Sequence, residues 1–488
     1  MDRLPIGAGV LLIAGTVGVL GCANAARVVP TSGGDRLTGP DSSIVGRILL
    51  AEDRRDSTDA AIADGEKHGD ARVRLLARRA RARIRDPRFT SRDSFPVANP
   101  TVTWPEPSWK IRYRALTTQS GCDALRTALG DEVWPVRLRA ASLVTSACGT
   151  DGALVATLRR WVETLPADAS RRARDGVAWQ GGAFAIVALS RATPTEARPP
   201  IRALATHGEW HVRRYAAIAA GIVSDTATLR TLARDANDNV REAAIESLAK
   251  VTPSDPEPFL AALEGTGAQS VRAGAVALKA IPGPRTTAAA NAAFERWVSR
   301  PNASERDVRI ALLDAAGKPA SDDRPPRPTV ELPSRAVALA LGADVRLRVV
   351  MADASGGGSF IVRLRGDAAP TMAARILALV RGGYYDGLDW HRVEHDFVIQ
   401  GGSPGSNEYV GLPRYLRDEL GGMHHLRGTV GMSTRGHDTG DAQWFVNLKD
   451  NLRLDRDYTV FAEVVEGMDV VDRVLEGDVI ARIEEIRR

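Results

Sequence analysis

The 488-residue chain has no run of more than two consecutive lysines or arginines. Its formal net charge of +5 is therefore too dispersed for the basic footprint of a nucleic-acid binder, and no nucleic-acid partner is expected. The scattered arginines read as solvated helical faces, with anionic lipid or polysaccharide left open as ligands. Cysteine is scarce: Cys22, Cys122 and Cys148 are all there are, too few for a disulfide framework. Metal-binding clusters are missing as well. His391 and His395 flank Glu394 like half of an HEXXH motif, but that motif binds metal only on a helix, and this segment reads as a strand and turn. His424-His425 has no third ligand. No metal and no cofactor are expected.

Long apolar runs are absent but for one at the N-terminus, Leu4 to Gly21 after Arg3. It falls short of the roughly 20 residues of a membrane span and reads as a secretory signal. Its end, Val19-Leu20-Gly21-Cys22, resembles a bacterial lipobox, which would make Cys22 the lipidated first residue of the mature protein. An ordinary cleaved signal and an uncleaved anchor are the alternatives. The lipobox reading implies a bacterial cell-envelope protein, periplasm-facing and membrane-bound through a lipid anchor. Ala23 stands where an Asp marks inner-membrane retention, which favours the outer membrane. Residues 22–43, rich in Gly, Pro, Ser and Thr, would form the tether. Cys122 and Cys148 follow small-residue turns at like positions of neighbouring repeats; an oxidising compartment permits a disulfide between them, and two buried thiols are the other reading.

Between residues 44 and 318 a Val-Arg or Ile-Arg dipeptide recurs, at Val73-Arg74, Ile111-Arg112, Val136-Arg137, Val212-Arg213, Val240-Arg241, Val271-Arg272 and Val308-Arg309. Each is followed by apolar residues at helical spacing, such as Val240, Ala243, Ala244 and Leu248. Asp or Asn ahead of several copies supplies an N-cap. The double gap between Arg137 and Arg213 would hold one degenerate copy. The pattern resembles HEAT repeats, helix pairs that bury their apolar faces against their neighbours; an irregular helical bundle is the alternative. The repeated arginine is expected to bond to the acidic cap of an adjacent repeat. Residues 319–335, rich in proline, read as a linker. Beyond it the period becomes strand-like: Val345, Leu347 and Val349 alternate with Arg346 and Arg348, and Gly356 to Gly358 read as a hairpin turn.

Residues 336–488 carry the sequence Trp390-His391-Arg392-Val393-Glu394-His395-Asp396-Phe397-Val398-Ile399-Gln400-Gly401-Gly402. It resembles the F-H-R and F-x-x-Q-G-G signature of cyclophilin-type peptidyl-prolyl cis-trans isomerases. Arg427-Gly428-Thr429-Val430-Gly431-Met432-Ser433, Ala442-Gln443-Trp444-Phe445-Val446 and Val460-Phe461-Ala462-Glu463-Val464 match further segments of that family. The resemblance implies a multidomain chain: an all-α HEAT-like solenoid, then a closed antiparallel β-barrel with two capping helices. It also implies Arg392 as the catalytic residue, with Gln400 holding both the arginine and the substrate backbone. Phe397, Val398, Phe445 and Leu454 would form the proline pocket. Gln443 would bind the peptide backbone, with Ser433, Thr434 and Tyr458 completing the substrate site.

The chain departs from the family at its rim. An arginine, Arg453, stands where eukaryotic members carry the tryptophan that contacts cyclosporin, which implies weak binding of that drug. With Arg435 it is expected to give a larger, more basic rim. The loop Gly405 to Leu420 lacks the family's T-G-x-G-G, leaving its conformation open. Two functions follow. The first is an isomerase acting on proline-containing clients among exported proteins, with the array as a client- or partner-docking surface. The second is a non-catalytic scaffold whose isomerase-like domain only binds proline loops.

Overall fold

The computed structural model describes residues 44–87, 97–166, 177–300, 302, 305–323 and 334–486. The expected signal, Cys22 and the tether lie outside these, as do residues 324–333 of the expected linker.

Five inner helices of the array line up side by side: α8 (Gln180–Ala192), α10 (Trp210–Ile222), α12 (Asp238–Val251), α14 (Ala268–Leu278) and α16 (Arg306–Ala315), with α6 (Trp134–Leu143) before them. An outer row, α7 (Gly152–Glu163), α9 (Pro194–Leu204), α11 (Thr226–Leu232), α13 (Glu257–Leu263) and α15 (Pro284–Val298), packs behind it. The recurring valine is why these segments stack. Val136, Val212, Val240, Val271 and Val308 are all buried in one continuous core. The degenerate copy is α8. Gly182 stands third in this helix, where most copies carry the valine, and a side chain there would meet Leu165 3.0 Å away.

In several copies the arginine that follows the valine holds the inter-helix loop, and at Arg213 it holds its neighbour too, whereas Arg272 bonds only to carboxylates of the preceding inner helix. Arg213 donates through Nη1 to the carbonyls of His207 and Gly208 (2.8 and 3.0 Å) and through Nε and Nη2 to the Asp235 carboxylate of the next repeat (2.7 and 2.9 Å). Arg241 repeats the loop contacts on Asp235 and Ala236. Asp70 and Asn237 act as N-caps, accepting from the amides of Arg72 and Asn239. Cys122 and Cys148 are joined in a disulfide, their Cα atoms 5.4 Å apart.

Three expectations change. The dipeptide Ile111-Arg112 is not a structural copy: Ile111 is 72% exposed on α4 (Trp109–Ala115), and Trp109 is buried in its place. Helices α1 (Ile44–Arg54), α2 (Ala60–Glu66) and α3 (Ala71–Arg85) do not join the array. Their apolar faces, Ile48, Leu49, Val73 and Ala77 among them, merge with the core of the C-terminal domain, because that domain offers α17 (Ser334–Ala340) as a partner for α1. The linker also begins later than residue 319, since Asp323 is buried and accepts from Arg309 of the last array helix (2.7 Å).

The C-terminal domain is an eight-stranded, wholly antiparallel sheet. Its strands are β1 (Arg346–Met351), β2 (Ser359–Leu364), β3 (Arg392–Val393), β4 (Val398–Gly401), β5 (Thr429–Met432), β6 (Trp444–Asn447), β7 (Val460–Glu466) and β8 (Ile480–Glu485). They pair in the order β3-β4-β6-β5-β7-β2-β1-β8. Gly356 to Gly358 turn β1 into β2, all three at positive φ. The edge strands β3 and β8 do not pair along their length. The segments just ahead of them are linked by four backbone hydrogen bonds: Trp390 to Asp478, Gly477 to Trp390, Gly387 to Ile480 and Ile480 to Leu388. Two helices accompany the sheet, α18 (Pro370–Arg381) and the short α19 (Met468–Asp472).

Arg83 on α3 fastens the first helices to this domain. It is 2% exposed and donates to the carbonyls of Leu420, Ala368 and Glu419 and to the Glu52 carboxylate at 2.8 Å. Burial pushes the Glu52 carboxyl up, but the guanidinium charges of Arg83 and Arg79 outweigh it and hold it below the usual range. Removing one partner of a buried pair strands the other's charge. Arg83→Met is therefore expected to destabilise the domain by about 3–5 kcal/mol, measured by urea unfolding of the full chain. A loss below about 1 kcal/mol would show that water replaces the guanidinium and that the pair is not structural.

Candidate active site

The sheet register places Arg392 directly opposite Gln400. The guanidinium is 38% exposed, beside the apolar cluster that is the candidate proline site. Val398, Phe445 and Leu454 are buried together there, with Phe397 and Tyr458 packed on them as partly buried walls. The pocket's floor is built from behind by His425, which is fully buried. Its ring stacks on Phe445 with centroids 5.6 Å apart, and Nε2 pairs with the Tyr458 carbonyl at 3.0 Å. His425 is thus a core prop and not part of a polar surface loop.

Two carboxylates hold Arg392. Glu394, just past the end of β3, takes Nε at 2.9 Å and Nη2 at 2.5 Å, and Glu408 takes Nη1 at 3.0 Å. Burial lowers the guanidinium pKa, but the bonds to Glu394 and the Glu408 charge more than reverse it. The carboxylates, and not Gln400, therefore hold the arginine. The Gln400 amide donates instead to Gln443 Oε1 (3.3 Å), and Gln443 Nε2 donates to the carbonyls of Glu408 and Val410 (3.2 and 3.1 Å). Ser433 lies alongside, its amide donating to the Gln443 carbonyl (2.9 Å), and half-buried Thr434 follows it.

The rim is less basic than its sequence suggests. Arg453 lies over Phe397, with Cζ 4.6 Å from the ring centroid, so it roofs the aromatic wall. Arg435 is consumed by the array: its Nε meets Asp307 of α16 at 2.5 Å, and its terminal nitrogens donate to Tyr415 Oη and to the Glu408 carbonyl. The two histidines beside the site go separate ways. His395 bonds to the Val474 carbonyl and packs edge-on against Trp109, while burial pushes His391 down to about 3. Among the described residues no group of three or more metal-ligating side chains forms.

Sequence reasoning missed Glu394, Glu408, Asp307 and His425. Only Glu394 had a signal, since two residues along a strand fall on the same face.

The chain matches a protein class already known. Residues 348–486 match the family model of the cyclophilin-type peptidyl-prolyl cis-trans isomerases, and residues 178–249 match that of HEAT repeats. A peptidyl-prolyl cis-trans isomerase of Helicobacter pylori is 34% identical over 119 residues, 24% of this chain and 73% of its own length. Peptidyl-prolyl cis-trans isomerase-like 1 of Rhizopus delemar is 36% identical over 24% of this chain and 74% of its own. Isomerase B of Escherichia coli is 34% identical over 24% and 78%. A crystal structure of a Cryptosporidium parvum cyclophilin-type isomerase aligns with 30% of this chain and 99% of its own at 21% identity, with a TM-score of 0.28. The chain belongs to the cyclophilin-type peptidyl-prolyl cis-trans isomerases, its isomerase domain lying C-terminal to HEAT repeats.

Burial pushes the His425 imidazole down and the Tyr458 phenol up. The first is thus neutral above its usual range, and the second is neutral below its own. Turnover of a short proline peptide, followed by NMR exchange, is expected to stay flat between roughly pH 7 and 9. An inflection in that window would show that one of these groups titrates.

Proposed function

We propose that the chain is an isomerase acting on proline-containing segments of exported proteins, with Arg392 as the catalytic group. Rotation about an X-Pro bond is opposed by amide conjugation, a barrier of roughly 20 kcal/mol. As the bond twists, the prolyl nitrogen regains a lone pair. A guanidinium fixed beside it donates a hydrogen bond to that lone pair, an interaction the planar ground states lack, and so lowers the barrier. The observation that carries this reading is the placement of Arg392 beside an apolar cluster, 5.9 Å from the Phe397 ring centroid, its plane fixed by two carboxylates. Phe397, Val398, Phe445, Leu454 and Tyr458 would receive the proline ring. Gln400 and Gln443, with Ser433 and Thr434, would take the client backbone. The hydrogen bonds joining residues 387–390 to 477–480 support reading the sheet as the family's closed barrel, with α18 and α19 as its caps.

The inner row of the array is occupied by the isomerase domain. Gln180, Tyr215 and Arg214 hold Glu476, and Asn239 holds the loop at Gly405. A docking role toward clients or partners therefore falls to the outer row. The Cys122–Cys148 disulfide supports an oxidising compartment, consistent with export and with a lipid anchor on Cys22 in an envelope facing the periplasm.

Arg392→Ala is expected to lower kcat/KM by roughly 10²–10³-fold, the cost of one oriented donor, with an unchanged circular dichroism spectrum. Equal rates for variant and wild type would sink the assignment. Cys22→Ser is expected to move the protein from the membrane pellet to the soluble fraction. A variant that stays in the pellet at unchanged mass would rule out the anchor.

A further inference from the structure

The loop that carries Glu408 is held from outside its own domain. Asn407 anchors it internally, accepting from the amides of Tyr409 and Val410 at 2.9 Å, and Ser403 and Gln443 of the same domain bond to its ends, but the inner row of the array adds three more holds. Asn239 on α12 donates to the Gly405 carbonyl at 3.0 Å and accepts from Asn407 Nδ2 at 3.1 Å. The Arg272 guanidinium on α14 lies over the Tyr409 ring, 4.0 Å from its centroid. Asp307 on α16 pins Arg435, whose other end donates to the Glu408 carbonyl. Two successive array helices thus meet one short loop directly and a third reaches it through Arg435, and the residue at its centre touches Arg392.

We propose that Glu408 is a positioning residue for Arg392 and that the array sets isomerase activity by holding Glu408 in place. The inference rests on Arg392 being the catalytic group. A guanidinium has five N–H donors. Glu394 takes one on Nε and one on Nη2, and Glu408 takes one on Nη1. One donor remains on each terminal nitrogen, on the edge left for a client. Glu394 alone grips one edge and leaves the far corner free to swing. Glu408 fixes that corner, and with it the direction of the remaining donors. Glu408 touches no client atom in this scheme; it acts through the arginine. A partner that bent the array would move the loop, and the rate would follow.

The test uses the full chain, with kcat and KM for a proline peptide measured by NMR exchange. Glu408→Gln keeps the shape and removes the charge. It is expected to lower kcat by roughly tenfold or more, within the range that misplacement of a reacting group produces, with KM little changed. Tyr409→Ala should lower kcat in the same direction, and Tyr409→Phe should restore it, because Arg272 needs only the ring face. Asp307→Asn gives a second, smaller perturbation of the same loop. The decisive measurement is the double variant Glu408→Gln/Tyr409→Ala, expected to be no slower than Glu408→Gln alone, since both changes act through one contact. Thermal melting of each variant separates this from partial unfolding, which would multiply the losses. Additive losses, or a wild-type kcat for Glu408→Gln while Arg392→Ala is slow, would overturn the inference. A wild-type rate for Arg392→Ala would instead overturn the isomerase assignment on which it stands.

Discussion

The structure depends on one interaction above others: an arginine donating to backbone carbonyls that a turn would otherwise leave bare. Of the 65 cationic residues, 59 are arginine and six lysine. A lysine presents a compact point charge, whereas a planar guanidinium reaches two carbonyls and a carboxylate at once. Arg74, Arg213 and Arg241 each close the loop five and six residues before them. Arg83 does the same for three carbonyls of a domain more than 280 residues away in sequence. Arg427 joins the Leu448 carbonyl to the buried Asp472 carboxylate. Burying a guanidinium costs desolvation, and Arg83, Arg213 and Arg427 offset it by bonding through all three nitrogens.

Two consequences follow for the site. Strands β4, β5 and β6 are buried on both faces, because the core lies on one side and the pocket or the array on the other. The isomerase domain therefore does not sit at the end of a solenoid as a separate bead. Gly477 shows how close the approach is: at φ +81 it tolerates no ordinary side chain, and a Cβ there would stand 2.9 Å from Trp179 and 3.0 Å from His211 of the array.

Periodic features were legible in the sequence, and relational ones were not. The buried valine at each repeat, the alternation in β1 and the glycine hairpin follow from local spacing alone. The pocket residues Phe397, Val398, Phe445 and Leu454 were named through the family resemblance, and they do come together. Helices α1–α3 were misplaced because an amphipathic face is the same whether an array or a sheet covers it. Ile111 matched the dipeptide, yet Trp109 won the interior because it buries more area. Glu408 gave no signal, since its meaning comes from a loop whose shape the array imposes. Arg435 looked like rim charge only because its partner, Asp307, lies 128 residues earlier in the chain.

The docking of α1–α3 onto the last domain also sets a timetable for biosynthesis. Ile48, Leu49 and Ala77 emerge first, with Arg83 close behind, but the Leu420 and Ala368 carbonyls that Arg83 takes come more than 280 residues later. At roughly 5–20 residues per second, the first helices wait on the order of 15–70 s with an apolar face uncovered. That interval matches the uncatalysed isomerisation of a prolyl bond, roughly 10–100 s. During its own synthesis, the protein therefore passes through the sticky, half-dressed condition in which nascent chains need a helper.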